Sequence, residues 1–263
     1  MRAAEAVTEV RGSDACAGDA FAFDGGSAGC ALMHGFTAAP REMRPLGRYL
    51  NEIGGFTVHG VRLAGHGTRP EDLAQTTWRD WYASGLEAVR GLRARCDRVF
   101  ACGLSLGGVL SLLLAARGEV DGVAAIAAPL RPYDRRLKVA RFLAPFKPYT
   151  PKSLADLHDP AALADHADYV RIPTRAAAEL YRATREVERA LPRVSVPVLV
   201  IHSRRDRVVP PADAQTIFDR VTAADKRLVW LERGGHIATE DYDKAVVFEE
   251  TLRFIQSHAH QPS

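Results

Sequence analysis

The sequence lacks any apolar run approaching the ~20 residues that a helix needs to cross a bilayer. Its four cysteines include no C-x-x-C pair and no cysteine–histidine spacing of the kind that binds zinc. It also lacks a dense basic run interleaved with aromatic residues, and its formal net charge is only +3. We therefore expect no nucleic-acid partner, no stable membrane insertion and no zinc-finger function.

The few cysteines, at positions 16, 30, 96 and 102, are predicted to be buried thiols in a reducing compartment, although a disulfide is the open alternative. The first 18 residues carry acidic side chains and glycine where a signal peptide would need an apolar core. We therefore expect a cytoplasmic protein with a flexible start. With 47% hydrophobic and 25% charged residues, the composition is typical of a soluble globular protein.

Short apolar runs alternate with longer helical patterns, which predicts an α/β protein with a mostly parallel sheet. Residues 19–128 and 194–259 are expected to form its core. The intervening residues 129–193, called the insertion below, are rich in proline, arginine and alanine. They contain helical pieces and no strand-like run, so we expect them to lie over one end of the sheet.

The stretch CGLSLGG, residues 102–108, places Ser105 between two glycines where a predicted strand meets a predicted helix. Because Gly103 and Gly107 lack a Cβ atom, they permit a turn tight enough to raise the serine hydroxyl at the carboxyl end of the sheet. A phosphate-binding loop is the rival interpretation. It is disfavoured because no lysine follows the glycines at 107 and 108.

Two further polar residues follow strands that are predicted later in the chain. Asp206 lies in the loop after VLVIHS, and His236 lies in a Gly-Gly turn after LVWLE. In a parallel sheet both would lie at the same edge as Ser105, so that His236 could accept the serine proton and Asp206 could orient the imidazole. The alternatives are that Asp206 pairs with a neighbouring arginine and that His236 is an ordinary loop histidine.

Hydrolysis by a serine nucleophile also requires two N–H donors for the oxyanion. The turn HGF, residues 34–36, follows the first long strand, and we expect the backbone amides of Phe36 and Leu106 to form this oxyanion hole. His34 is predicted to brace the turn by hydrogen bonding rather than to act in catalysis. His66, in the loop AGHGT, is predicted to brace its own loop.

In this order and at these separations, the motifs HGFT, GHGTRPEDL, CGLSLGG, HSRRDRVVPP and GGHIATEDYDK resemble those of the α/β-hydrolase superfamily. More narrowly, they are similar to bacterial carboxylesterases and monoacylglycerol lipases with a small lid. The resemblance covers about residues 20–258. It implies the α/β-hydrolase fold with helices on both faces of the sheet and the insertion as the lid. It also implies Ser105 as nucleophile, His236 as base and Asp206 as its orienter, with no cofactor and no metal.

Two positions depart from the family pattern. In the monoacylglycerol lipases of this group, a lid glutamate shortly before a tyrosine helps to recognise the glycerol end, and His166 stands at that position here. We predict that His166 and Gly35 contact the substrate, with Asp165 or Asp168 as alternative replacements for the glutamate. Glu240 stands where family members often have leucine, and no consequence follows from the sequence.

The insertion also contains two stretches with rival interpretations. DLHDPAALADHAD, residues 156–168, groups histidines and aspartates, but the spacing of His158 and His166 does not place both rings together on one helix, which disfavours a metal site. RPYDRRLKVARFLAPFKPY, residues 131–149, is predicted to form a solvated basic face with an apolar underside. The sharper alternative is transient attraction to a lipid interface.

The sequence therefore predicts a serine carboxylic-ester hydrolase that works through an acyl-enzyme. Its expected partners are small-molecule esters of short-to-medium acyl chains, with monoglycerides as candidates, and both a monomer and a homodimer are open. Thioesterases, amidases and C–C bond hydrolases share the same triad and remain alternatives, as does a non-catalytic ligand-binding homologue. Ser105 argues against epoxide hydrolases and haloalkane dehalogenases, which use an aspartate nucleophile.

Overall fold

A computed structural model describes residues 18–130 and 144–259. Its strands are β1 Phe21–Phe23, β2 Ala28–Met33, β3 Thr57–Val61, β4 Arg98–Leu104, β5 Gly122–Ile126, β6 Tyr149–Pro151, β7 Arg171–Pro173, β8 Val198–Ser203 and β9 Lys226–Leu231. Its α-helices are α1 Arg44–Glu52, α2 Pro70–Ala74, α3 Trp78–Arg93, α4 Leu106–Ala116, α5 Pro160–Asp165, α6 Thr174–Ala190, α7 Pro211–Arg220 and α8 Lys244–Ala259.

Seven of these strands form one sheet in the order β1-β3-β2-β4-β5-β8-β9. All neighbouring pairs are parallel except β1 and β3, which run antiparallel. Every residue of β2, β5 and β8 is buried, as expected for parallel strands that are covered on both faces. The predicted mostly parallel α/β architecture is confirmed.

Alternate strand residues point into two separate cores, one on each face of the sheet. Helices α3, α4, α6 and α7 cover one face, where Trp81 and Leu110 are fully buried. Helices α1 and α8 cover the other, where Leu46 and Ile255 are fully buried. Each fully buried leucine or isoleucine side chain stabilises the fold by about 1.5–3 kcal/mol relative to its exposed state. The two cores hold the sheet rigid, so the loops at its carboxyl edge have a fixed base.

The expectation that the insertion contains no strand is wrong. Within it β6 and β7 form a two-stranded antiparallel sheet, with Thr150 opposite Ile172. Each strand has three residues, which is too short for the alternation that identifies a strand in sequence. Strand β1, with three residues, and helix α2, with five residues from Pro70, are likewise too short to show a periodic pattern in the sequence.

Some sequence predictions fall on parts of the chain that the structure does not describe. These are the flexible start, Cys16 and the basic stretch 131–143. The other cysteines, Cys30, Cys96 and Cys102, are buried free thiols, and burial raises the pKa of Cys102 to about 12. Over residues 18–130 and 144–259, no helix combines the length and apolar character needed to cross a membrane.

Candidate active site

Ser105 occupies the junction between β4 and α4 in a strained backbone conformation, with φ +53° and ψ −114°. Side-chain-bearing residues rarely adopt positive φ, and such a conformation costs about 1–3 kcal/mol. The Ser105 N–H is held by the carbonyl of Ile126 at 2.8 Å, which fixes the turn to the neighbouring strand β5. Strain of this kind persists where surrounding structure enforces it, and here it leaves the hydroxyl at the carboxyl edge of the sheet.

The glycines on either side of Ser105 allow the strand and helix to pass in contact. A Cβ atom at Gly103 would lie 2.1 Å from the carbonyl carbon of Gly107. A Cβ atom at Gly107 would lie 2.0 Å from the carbonyl oxygen of Met33. Both distances are far below van der Waals contact with backbone atoms, which cannot move aside. The predicted need for glycine at this turn is confirmed.

Gly103→Ala should lower the free energy of unfolding by about 3 kcal/mol or more, because the new methyl group overlaps backbone. Gly91→Ala is the matched control, since Gly91 lies on the exposed side of α3, where a Cβ atom would meet no other part of the described structure within 4 Å. That variant should gain about 0.5–1 kcal/mol from helix propensity. Denaturant unfolding measures both, and equal midpoints for Gly103→Ala and the wild type would contradict this account of the turn.

The loops after β4, β8 and β9 bring together the three candidate catalytic side chains. The hydroxyl of Ser105 lies 3.0 Å from Nε2 of His236, and Nδ1 of His236 lies 2.8 Å from Oδ2 of Asp206. These strands are parallel members of one sheet, so their carboxyl ends meet at one edge. Arg204, one of the arginines considered as a partner for Asp206, pairs with Glu232 instead (Nε–Oε1 3.0 Å).

The carboxylate of Asp206 is buried and accepts hydrogen bonds on both oxygens. Oδ1 accepts the backbone N–H groups of Val208 at 2.8 Å and Val209 at 2.7 Å. Oδ2 faces His236 and also Nε2 of His202, 3.1 Å away. Burial alone would raise the pKa of Asp206, but the two imidazoles hold it well below its usual range. The group is therefore an anion that can only accept hydrogen bonds. Nothing in the sequence pattern had identified His202.

The loop that follows β2 is braced by a neutral histidine. Nδ1 of His34 donates to the carbonyl of Gly35 at 2.8 Å, and Nε2 accepts the N–H of Leu63 at 3.3 Å. Burial lowers the pKa of His34 to about 4, so the ring is uncharged at neutral pH. His66 similarly donates to the carbonyl of Ala64 at 3.1 Å. The predicted bracing roles of both histidines are confirmed.

Two ionisable side chains hold the same loop on either side of Phe36. The N–H of Gly35 donates to Oε2 of the buried Glu42 at 2.6 Å. Nζ of Lys152, from the insertion, donates to Oγ1 of Thr37 at 2.6 Å. Thr37 has a positive φ of 67°, so this contact holds a strained residue. The sequence analysis did not identify Glu42 or Lys152, since neither belongs to a motif or a periodic pattern.

The two departures from the family pattern contact each other. Nδ1 of His166 lies 2.6 Å from Oε2 of Glu240, and its Nε2 lies 3.3 Å from Oδ2 of Asp168. Burial alone would lower the pKa of His166, but these carboxylates raise it to about 9, so the ring is cationic at neutral pH. Burial, together with Glu240, raises the pKa of the nearby Glu42 to about 7. The glutamate at 240 thus compensates the charge that the histidine at 166 introduces.

A cavity of about 700 Å³ opens at Ser105 and His236. Gly35, Phe36 and His166 line it, so both residues that are predicted to contact the substrate, Gly35 and His166, lie in the wall of this cavity. Its charged and hydroxyl-bearing lining includes Thr37, Glu42, Lys152 and His166, and its apolar lining includes Leu154, Ala155, Ile172, Ala177, Leu180, Val208 and Ile237. Within the described ranges, no group of three or more His, Cys, Asp or Glu side chains could hold a metal ion.

Comparison with known families and proteins gives consistent matches. The model of the Hydrolase_4 family, described as serine aminopeptidase, S33, matches residues 27–243. The chain is 35% identical over 242 residues to the thermostable monoacylglycerol lipase of Bacillus sp. (strain H-257), covering 91% of this chain and 94% of that protein. It is 30% identical over 243 residues to a carboxylesterase of Bacillus subtilis (strain 168), covering 90% and 95%.

Solved structures match over nearly the whole chain. One, from work on two metagenome-derived lipolytic enzymes, has 34% identity and a TM-score of 0.88, covering 92% of this chain and 98% of that chain. The monoacylglycerol lipase of Paleococcus ferrophilus has 19% identity and a TM-score of 0.79, covering 91% and 98%. At 19% identity, the second match shows the fold alone.

Proposed function

The chain belongs to the Hydrolase_4 family of α/β-hydrolases, and we propose that it hydrolyses carboxylic esters with Ser105 as the nucleophile. One observation carries the proposal. The Ser105 hydroxyl, the His236 imidazole and the Asp206 carboxylate form a continuous hydrogen-bonded chain, with distances of 3.0 and 2.8 Å. The relatives named monoacylglycerol lipase and carboxylesterase support the ester as the bond that is cleaved.

Catalysis begins when His236 accepts the proton of Ser105 as the serine oxygen attacks the ester carbonyl carbon. Asp206 holds Nδ1 of the imidazole protonated and stabilises the imidazolium that forms. The tetrahedral intermediate then collapses, and His236 donates the proton to the departing alcohol oxygen. Water attacks the acyl-enzyme in the same way, so that the carboxylic acid leaves and the serine regains its proton. This chemistry requires no cofactor.

The backbone amides of Phe36 and Leu106 are proposed to receive the oxyanion. Leu106 is the first residue of α4, where N–H groups have no partner within the helix and the helix dipole favours negative charge. The position of Phe36 is set by its neighbours, because Glu42 holds the N–H of Gly35 and Lys152 holds the hydroxyl of Thr37. Donors fixed in this way need no rearrangement as charge develops on the substrate.

We further propose monoacylglycerols with short-to-medium acyl chains as a substrate class. A cavity of about 700 Å³ is within the usual range for ligands of this size. A donor on Lys152 and an acceptor on Glu42 suit a polyol, and the apolar lining suits an acyl chain. The insertion supplies several of the lining residues, which supports its proposed role as the lid. Its exposed side chains Phe146 and Leu154 support transient contact with lipid aggregates.

A matched pair of esters tests the substrate class. We expect kcat/KM for mono-octanoylglycerol to exceed that for ethyl octanoate by about tenfold, as expected for one to two extra hydrogen bonds to the alcohol. Because the His166 cation lowers the pKa of Glu42, its loss in His166→Gln weakens Glu42 as an acceptor; the monoglyceride value should fall by about tenfold and the ethyl ester stay within about twofold. Asp165→Asn is the control, because Asp165 pairs with Arg41 at an exposed site. Equal values for the two esters would contradict the monoglyceride proposal and leave ester hydrolysis intact.

A further inference from the structure

Asp156 lies in the insertion, 80 residues before His236 in the chain, and has no part in the mechanism above. Its side chain is 8% exposed. Oδ2 accepts the backbone N–H of His236 at 3.0 Å and the backbone N–H of Arg207 at 2.9 Å. Arg207 directly follows Asp206. A single carboxylate oxygen therefore joins the loop that carries the histidine to the loop that carries the catalytic aspartate.

The main chain of Asp156 docks on the same segment. Its carbonyl oxygen accepts the N–H of Ile237 at 3.4 Å. A Cβ atom at Gly235 would lie 2.4 Å from this carbonyl oxygen and 2.8 Å from the Asp156 Cγ. The second glycine of the Gly-Gly turn before His236 is thus required by the close approach of Asp156. This requirement is separate from any need to bend the turn itself.

A second carboxylate strengthens the attachment, and here the histidine loop supplies the carboxylate and the insertion supplies the N–H groups. Asp241, five residues after His236, accepts the N–H of Gly235 at 2.7 Å. It also accepts the N–H groups of His158 and Asp159, each at 2.9 Å. Residues 156–159 of the insertion and the histidine loop are therefore joined by reciprocal carboxylate–amide contacts. Because both carboxylates are ionic acceptors, these hydrogen bonds belong to the stronger class.

We propose that Asp156 is a positioning residue, which sets the separation of His236 and Asp206 by bridging their two loops. Each loop follows a different strand, and the Ser203 hydroxyl, which donates to the carbonyl of Gly234, joins them near the strand ends. Asp156 joins them farther out, directly beside His236 and Asp206. A displacement of about 1 Å in such an arrangement can cost on the order of 100-fold in rate. Through Asp156, the insertion contributes to the chemical step as well as to the walls of the cavity. This inference rests on the proposed triad.

Three variants test the role with p-nitrophenyl butyrate as substrate. Asp156→Ala removes the bridging oxygen and should lower kcat by about 10–100-fold with KM within about twofold. Asp156→Asn keeps an amide oxygen that can accept both N–H groups, so kcat should return to within about threefold of wild type. Asp159→Ala is the matched control, since the Asp159 side chain accepts the N–H of Ala161 at the start of α5 and, among the described residues, has no hydrogen bond to the loops of His236 or Asp206.

The rate constant for modification by a fluorophosphonate separates this inference from the proposed function. In Asp156→Ala it should fall in parallel with kcat, because it depends on the same alignment of base and nucleophile. A kcat within twofold of wild type, equal impairment of the alanine and asparagine variants, or a loss confined to KM would overturn the positioning role. If the alanine variant lacks a cooperative melting transition, Asp156→Ser is compared with Asp156→Asn on the same criteria. Failure of the wild type to be modified would instead overturn the proposed function.

Discussion

Ser105→Ala is expected to lower kcat for p-nitrophenyl butyrate by about 10⁵-fold, leaving only what binding and the oxyanion donors supply. The reason is that the hydroxyl is the proposed nucleophile that forms the acyl-enzyme, and the described residues offer no other nucleophile at 3.0 Å from His236 Nε2. The fold should persist, since the neighbouring glycines and the N–H bond to Ile126 are unchanged. Steady-state kinetics with highly purified protein measures the effect.

Ser111→Ala is the matched control for this variant. Ser111 lies on the same helix α4 and is fully buried, and its hydroxyl donates to the carbonyl of Gly107 at 2.8 Å. Losing this one hydrogen bond should cost about 0.5–1.5 kcal/mol of stability and leave kcat within about twofold. Turnover by Ser105→Ala at more than a tenth of the wild-type rate would contradict the assignment of the nucleophile.

Asp206→Asn is expected to lower kcat by about 10⁴-fold. The wild-type carboxylate accepts hydrogen bonds on both oxygens, from Val208 and Val209 on one and from His236 on the other. An amide has only one acceptor oxygen. If that oxygen meets the two backbone N–H groups, the NH₂ group faces Nδ1 of His236 and favours the tautomer whose Nε2 carries the proton. Such a ring cannot accept the proton of Ser105.

Asp219→Asn serves as the control for the same chemical change. Asp219 lies on α7, where it accepts a hydrogen bond from Gln215 at an exposed site, and kcat should stay unchanged. Thermal melting distinguishes lost alignment from lost folding in Asp206→Asn. A kcat within tenfold of wild type for Asp206→Asn would show that the orientation of His236 does not depend on this carboxylate.

The sequence predicted the core of this fold because its signals are local. A run of buried residues ending in a glycine–serine turn identifies β4, the turn at Ser105 and α4, all within residues 98–116. Asp206 and His236 follow equally clear strands, and the parallel sheet brings the ends of those strands to one edge. For these residues, the order of the parallel strands brings locally predicted elements together at one site.

Such local patterns did not predict the contacts that support the site. Lys152 and Thr37 are 115 positions apart, and Asp156 and His236 are 80 apart. A single charged residue in a loop has no period and no motif, so its partner is defined only by the tertiary fold. His166 and Glu240 illustrate the point, because each was evident as a departure from the family pattern, whereas their 2.6 Å contact was not.

These supports share one origin, since both Lys152 and Asp156 belong to the insertion. One holds the loop that carries Phe36, and the other joins the loops of His236 and Asp206. The core carries the proposed reacting groups at the edge of the sheet, and residues of the insertion hold the loops that carry them. Changes in the insertion are therefore expected to affect kcat as well as substrate preference.

The most direct test of the central claim is to react the protein with a fluorophosphonate and locate the adduct by peptide mass spectrometry. We expect one adduct, on the peptide that contains Ser105, with loss of esterase activity in proportion to labelling. In Ser105→Ala we expect no adduct. An unlabelled wild-type protein, or an active protein labelled at another residue, would contradict the account.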